Sequence, residues 1–274
     1  MDKRNRILVL IDFSENTDNL IDFAFSIAET INAKVVLVHK IPGLVPSMAD
    51  EVSRREILKE EMNEASSKLR ELARDRVYSD DSFQISEKPI LTLLRNLKSP
   101  QYFDWVFTGL KEGGVLKRLF IGSTTLSVIE ESDMLTVTVP TETKMNLPEK
   151  LLVGVNPNYP LNPEHFHRVL KGLENNVKNL KFFTILKEDE AEQTTREHLL
   201  KLQIEYKRFE PDIQIYRGDD AASTLSDKMK LSHNSILVLQ QGSRSLTNIL
   251  FRQFTINELV YRAQTPLIVL SKRT

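Results

Sequence analysis

The chain has no cysteine among its 274 residues, and its formal net charge is only −1. Disulfide bonds, thiolate nucleophiles and thiolate metal ligands are therefore excluded, as in many proteins of reducing compartments. The near-zero charge favours neither a nucleic-acid surface nor a membrane surface. No apolar run approaches the about 20 residues of a membrane span, and residues 1–6 lack the apolar stretch of a signal peptide. We expect a cytoplasmic protein that binds neither nucleic acid nor membranes.

The sequence also lacks a recognisable catalytic constellation. His165 and His167 are two residues apart on a predicted helix, so they point to different faces and make a poor metal pair. Candidate serine, histidine and aspartate side chains lie on separate predicted loops without a paired motif. His39, at the end of a predicted strand, is better explained as a structural residue than as a ligand contact. We therefore predict no catalytic residue, no metal site and no enzymatic activity.

Short apolar runs alternate with amphipathic segments along the whole chain. The first run, residues 7–11, is continuously apolar, which is typical of a strand covered on both faces. The next segment places Leu20, Ala24 and Ile27 on one stripe, as in an amphipathic helix, with Ser14 or Thr17 as candidate cap. Because hairpin signals are missing, we predict parallel strands with helices on both faces.

The order of elements repeats after a polar joint at residues 141–148. Residues 150–153 (KLLV) echo residues 6–9 (RILV). Residues 213–215 (IQI) likewise echo 83–85 (FQI). Such self-similarity predicts two tandem α/β domains, residues 1–144 and 145–274. In the second, we predict one helix carrying Leu225 and Met229 and another spanning residues 256–263.

Ligands of open parallel sheets bind beyond the carboxyl ends of the strands. The richest loop at such an end is residues 109–123, between a buried strand and a helix. Loop glycines allow backbone amides to face an anion, and a helix N-terminus favours negative charge. The alternative is a surface loop whose glycines serve only its turns. The residues alone leave both interpretations open.

Residues 7–16 (ILVLIDFSEN) resemble the first strand and turn of universal stress proteins. Residues 109–123 resemble the family's nucleotide-binding signature of spaced glycines closed by Gly-Ser or Gly-Thr. The order of strands and helices matches along both halves. The resemblance implies two tandem domains of the adenine nucleotide α-hydrolase-like fold. Each would be a five-stranded parallel sheet of order 3-2-1-4-5 with helices on both faces.

The resemblance implies a nucleotide site in the first half. Asp12 stands where the family has an aspartate near adenine and ribose, and Val38 where a valine contacts adenine. The signature is matched by Gly109 at its start and by Gly122 with Ser123 at its end.

Other positions modify this expectation. Thr124 follows the signature at the helix start and is a further candidate contact. Glu112 replaces the second signature glycine, and Gly113 next to it is expected to compensate in part. Lys88 replaces a glycine that is common after the third strand. Because Glu112 would repel phosphates, ATP and AMP are both candidate ligands, with adenosine or AMP bound at least as well as ATP.

The second half departs further from the signature. Asn156 replaces the aspartate, and residues 239–253 contain neither the first glycine nor the closing Gly-Ser, although Gly218 is kept. We expect this half to be structural or adapted to a different role. Two functions remain: a stress-response protein that binds an adenine nucleotide in its first half, or an interaction and regulatory module with the same fold that binds none.

The fifth strand of each half would be an exposed, strongly β-prone edge in isolation. These strands are predicted at residues 135–139 and 267–270. Uncovered edges of this kind invite aggregation. We therefore expect the halves to associate as an internal pseudo-dimer through these strands, an arrangement compatible with a further homodimer.

Overall fold

A computed structural model describes residues 3–43, 50–76, 79–113, 118–120, 122–141, 143, 147–187, 189–218, 234–242 and 265–272. For residues 111–113 and 118–120 it describes the backbone alone. The helices predicted around Leu225 and Met229 and over residues 256–263 lie outside the described residues.

The first half alternates strands and helices in the predicted order. Its elements are β1 (Arg4–Ile11), α1 (Thr17–Ile31), β2 (Lys34–Lys40), α2 (Glu51–Ala73), β3 (Phe83–Ser86), α3 (Ile90–Leu97), β4 (Tyr102–Gly109), β5 (Lys111–Gly113), β6 (Arg118–Phe120), α4 (Ser123–Glu131) and β7 (Leu135–Val139). The second half contributes β8 (Lys150–Gly154), α5 (Pro163–Leu173), β9 (Asn179–Leu186), α6 (Gln193–Glu205), β10 (Asp212–Arg217), β11 (Ser235–Gln240) and β12 (Leu267–Leu270). Short 3₁₀ turns lie at Arg74–Arg76, Asp80–Ser82 and Lys207–Phe209.

The predicted strand order is confirmed in both halves. Within the described residues the first half has the order β3-β2-β1-β4-β7, and the second has β10-β9-β8-β11-β12. All pairs of the large sheet inside each half are parallel, with Ile7 beside Val35 on β2 and Trp105 on β4. The carboxyl ends of the first half's strands in this sheet therefore meet at one edge, and the strand order reverses between β1 and β4.

The two halves join through the fifth strand of each, so that their five-stranded sheets form one continuous sheet. β7 pairs with β12 in antiparallel fashion, with Val137 opposite Ile268. The ten strands described in this sheet are therefore continuous. The physical reason is that each fifth strand would otherwise leave unpaired backbone groups at an edge. The division of the chain at residues 144 and 145 stays a prediction.

Helices cover both faces of the sheet, as predicted. On one face, α1, α2, α5 and α6 bury side chains that include Leu20, Leu69, Phe166 and Leu199 in one apolar cluster spanning both halves. On the other face, α3 and α4 pack in a second cluster. At the junction, α1 meets α5 so closely that a Cβ on Gly172 would lie 2.8 Å from Ile31 Cγ2. Among the described residues, no helix is both long and apolar enough to cross a membrane.

The loop predicted over residues 109–123 contains a small hairpin. β5 and β6 pair antiparallel, with Glu112 opposite Leu119. The prediction of an unstructured loop was therefore wrong for six residues, 111–113 and 118–120. Backbone amides and carbonyls that a loop would leave to solvent instead pair with each other.

Candidate functional site

The turn after β1 is built on Asp12. Its Oδ1 accepts a hydrogen bond from the backbone N–H of Ser14 at 3.1 Å, which closes a turn that mimics a backbone turn. Phe13 between them has φ of 56°, a left-handed conformation that costs a non-glycine residue free energy and often occurs at functional sites. Asp12 itself is exposed at the carboxyl end of the sheet. The turn therefore presents a carboxylate at the edge where ligands of such sheets bind.

His39 supports this turn from the end of β2. Its Nδ1 lies 2.8 Å from the carbonyl oxygen of Ile11, so Nδ1 carries the proton and donates. Its ring packs on Phe13 with the centroids 4.3 Å apart. Burial lowers the pKa of His39, because the charged imidazolium would lose its water. His39 is thus a neutral, structural residue at physiological pH, as its position at a strand end had indicated.

Val38, the predicted adenine contact, lies in β2 two residues before its exposed end, and the contact stays a prediction. Its side chain is fully buried, packed with Leu8, Leu10 and Val106. The next outward residue at the end of β2 is Lys40, which is exposed. A second cation comes from α2, where Nζ of Lys68 lies 5.7 Å from the centre of the Phe13 ring. The end of β2 therefore offers a positive side chain near Asp12, not an apolar one.

Gly109 ends β4 next to β1, and its lack of a side chain has a packing reason. A Cβ at this position would lie 2.8 Å from Nδ2 of Asn16. The buried Asn16 is the N-cap residue of α1, a role predicted for Ser14 or Thr17. Its Nδ2 donates to the carbonyl oxygens of Leu110 at 3.3 Å and Val139 at 3.2 Å. Gly109 thus leaves room for an amide that ties α1 to the ends of β4 and β7.

The N-terminus of α4 lies beside the end of β4. Oγ1 of Thr125 lies 2.8 Å from Oγ1 of Thr108, which fixes the first turn of the helix against the strand. Gly122 is the N-cap residue and forms no side-chain capping bond, and a Cβ there would meet none of the described residues within 4 Å. Ser123 and Thr124 are exposed in the first turn. This arrangement suits an anion, because the N-terminal amides and the helix dipole favour negative charge.

In the middle of the signature, the structure describes only the backbone of Glu112 and Gly113. Gly113 ends β5, and Glu112 lies in the same strand. The side chain of Glu112 and residues 114–117 and 121 are outside the described part of the chain. Repulsion between Glu112 and phosphates therefore stays a prediction.

The second half has the same turn but a filled site. Oδ1 of Asn156 accepts from the N–H of Asn158 at 2.9 Å, the same local geometry as at Asp12 without the charge. At the position equivalent to Gly109 stands the buried Gln240. Its Oε1 accepts from the N–H of Asn162 at 2.7 Å, and its Nε2 donates to the carbonyl oxygen of Ser271 at 2.9 Å. A buried amide occupies the space that the first half leaves to glycine.

Several residues of this site were not found from the sequence. Asn16 and the pair of Thr108 and Thr125 carry no motif, since each acts through a contact between distant segments. Phe13 could have been found from the sequence, because it directly follows the aspartate that ends the strand. A tight turn at that point requires an unusual φ. Lys40 was not predicted, because the contact from β2 was expected two residues earlier, at Val38.

The fold defines the class of protein: a doubly wound α/β protein in which an acidic turn follows β1 and a helix N-terminus suited to an anion lies beside the end of the neighbouring strand β4. The sequence model of the universal stress protein family matches residues 3–140, which is 138 of the 274 residues. The chain belongs to the universal stress protein family. No curated protein is significantly similar to it in sequence.

Two solved structures share the fold across nearly the whole chain. A universal stress protein from Archaeoglobus fulgidus DSM 4304 has a TM-score of 0.64 at 14% identity, covering 99% of this chain and 100% of its own. A protein of unknown function from Pseudomonas aeruginosa PAO1 has a TM-score of 0.56 at 13% identity, covering 98% and 92%. At such identities the similarity extends to the fold alone.

Proposed function

We propose that this universal stress protein is a cytoplasmic, non-enzymatic stress-response protein that binds one adenine nucleotide in its first half. The observation that carries the proposal is the N-terminus of α4, where a Cβ on Gly122 would meet none of the described residues within 4 Å and the helix amides favour an anion. Asp12 follows β1, which pairs with β4, the strand next to this helix. The candidate ligands are adenosine, AMP and ATP.

The alternative is an interaction module that has lost nucleotide binding. The burial of Val38 supports it, since that side chain is 0% exposed. The exposed residue at the end of β2 is Lys40, whose side chain is charged. A direct binding measurement separates the two functions.

The test exploits the matched turns of the two halves. Asp12→Asn keeps an oxygen that can accept the Ser14 N–H but removes the charge, and so copies the second half. Asn156→Asp is the reciprocal control. Loss of a charged hydrogen bond to ribose or base costs about 1.5–3 kcal/mol. That corresponds to about a tenfold or greater rise in Kd. Isothermal titration with adenosine, AMP and ATP, each with and without magnesium, measures it.

We expect a stoichiometry near one for the wild type, weaker binding for Asp12→Asn and no change for Asn156→Asp. Two equal sites would show that the second half also binds. Absence of binding for all three ligands would favour the interaction module.

A further inference from the structure

The second half reaches into the first at the C-terminus of α4. Gln241, directly after β11, is 6% exposed. Its Nε2 donates to the carbonyl oxygen of Ile129 at 2.7 Å and to that of Ser132 at 3.3 Å. Its Oε1 accepts from the N–H of Lys272 at 2.8 Å. All three polar contacts fix the orientation of one buried amide between the two halves.

These contacts satisfy groups that a helix leaves open. The last four carbonyl oxygens of an α-helix have no partner within the helix. Ile129 belongs to the last turn of α4, and Ser132 is its C-cap residue. Oγ of Ser271, also in the second half, donates to the next carbonyl, that of Asp133, at 3.1 Å. Side chains of the second half therefore complete the end of this helix.

α4 depends on such external anchors because it is short. It has nine residues, and isolated helices below about 12 residues are marginal in water. At its other end, Thr125 is fixed to Thr108 on β4. The position of its first turn, with Ser123 and Thr124, follows from anchors at both ends.

The position equivalent to Gln241 in the first half carries no side-chain amide. Leu110 is the equivalent of Gln241, because the N–H of each donates to the end of the fifth strand in its own half: Leu110 to Val139 at 3.0 Å, and Gln241 to Leu270 at 2.8 Å. Leu110 has no amide to donate. The first half therefore cannot return the same contact to the second.

We propose that Gln241 is a positioning residue for the nucleotide site of the first half. It holds the C-terminus of α4, and this sets the order and placement of the amides at the N-terminus. The proposal rests on the proposed function for its effect on binding. It assigns a role to the half that has lost the glycine signature.

The experiment compares Gln241→Met with Gln203→Met in the full chain. Gln203 on α6 also donates a side-chain amide hydrogen bond to a carbonyl, that of Pro211 at 2.9 Å, but it lies far from α4 in the fold. Ser271→Ala is the milder second variant, in case Gln241→Met fails to fold. The readouts are the melting temperature, the Kd for AMP, and hydrogen exchange of amides 126–132 without ligand.

We expect Gln241→Met to accelerate exchange in α4 and to raise the Kd for AMP about fivefold, equivalent to about 1 kcal/mol. Gln203→Met should lower the melting temperature while leaving both other readouts unchanged. Ser271→Ala should shift both in the direction of Gln241→Met. Unchanged exchange in α4 for a folded Gln241→Met, or an unchanged Kd despite faster exchange, overturns the proposal. If the wild type binds no adenine ligand, the proposed function fails instead, and the exchange rates alone decide whether Gln241 orders α4.

Discussion

The two signature glycines that the structure describes in detail should respond in opposite ways to the same substitution. At Gly109, an added methyl would lie 2.8 Å from Nδ2 of Asn16, and at Gly122 it would meet nothing within 4 Å in the described part of the chain. Gly122 has φ of −58°, which any residue adopts. Gly109→Ala and Gly122→Ala therefore form a matched pair.

The cost at Gly109 follows from what holds Asn16 in place. The amide must move to admit the methyl, and its bonds to the carbonyl oxygens of Leu110 and Val139 are lost or lengthened. Overpacking a core costs about 1–3 kcal/mol, and each buried hydrogen bond contributes about 0.5–1.5 kcal/mol net. We expect Gly109→Ala to lower the free energy of unfolding by about 2–4 kcal/mol.

Gly122→Ala should lower the free energy of unfolding by only about 1 kcal/mol, the difference between glycine and alanine as N-cap residues. It should also weaken AMP binding, because its methyl lies at the helix N-terminus where we propose that the phosphate binds. Urea denaturation and titration calorimetry measure the two effects. Equal stability of the two variants would refute the packing role of Gly109. A second substitution, Asn16→Ala, should recover part of the loss at Gly109→Ala, because it removes the obstructing amide.

Three further predictions follow from particular contacts. Asp104→Asn should lower the free energy of unfolding, measured by urea denaturation, by about 3–5 kcal/mol, since it leaves Arg6 buried without the carboxylate 2.6 Å away. Replacing both residues by apolar ones should cost less than the sum of the two single replacements. Burial lowers the pKa of His165 from 6.5 to about 4, so the unfolded chain takes up this proton first as the pH falls. Stability should therefore drop by up to about 3 kcal/mol between about pH 6.5 and 4, and His165→Gln should flatten this slope in denaturation curves measured across the range. Glu112→Gly should raise the affinity for ATP in magnesium-free calorimetry and leave adenosine nearly unchanged; no effect on ATP would mean that Glu112 points to solvent.

The fold could be predicted because its signals are local. Continuous apolar runs such as residues 7–11 fix buried strands, and the alternation with helices fixes parallel pairing. The pairing of the two halves through β7 and β12 could also be predicted, because two exposed β-prone edge strands in one chain are expected to pair with each other. The hairpin of β5 and β6 was missed because its arms are only three residues each. A strand of three residues is too short to show the alternation of apolar and polar side chains by which strands are predicted.

The site was harder to predict, since its support comes from distant segments. Asn16 lies 123 residues from Val139, whose carbonyl it contacts, and no spacing rule connects them. Val38 was expected at the ligand because a valine fits there by resemblance. The structure buries its side chain and leaves Lys40 exposed at the strand end. A shift of two residues along a strand keeps the same face but moves the side chain from the core to the edge.

The loss of the signature in the second half then has a physical explanation. Gln240 stands at the position of the first half's Gly109. Its side-chain amide is buried and bonds to Asn162 and Ser271, so this residue is part of the protein interior. The side-chain amide of the adjacent Gln241 donates a hydrogen bond to α4 of the first half. Glycine at residue 240 would leave the N–H of Asn162 without its buried acceptor, a cost of about 1–3 kcal/mol, whereas the carbonyl of Ser271 keeps the bond from Nδ2 of Asn162. A binding loop cannot be recovered there by one substitution, and the asymmetry of the two halves is therefore built into their shared interior.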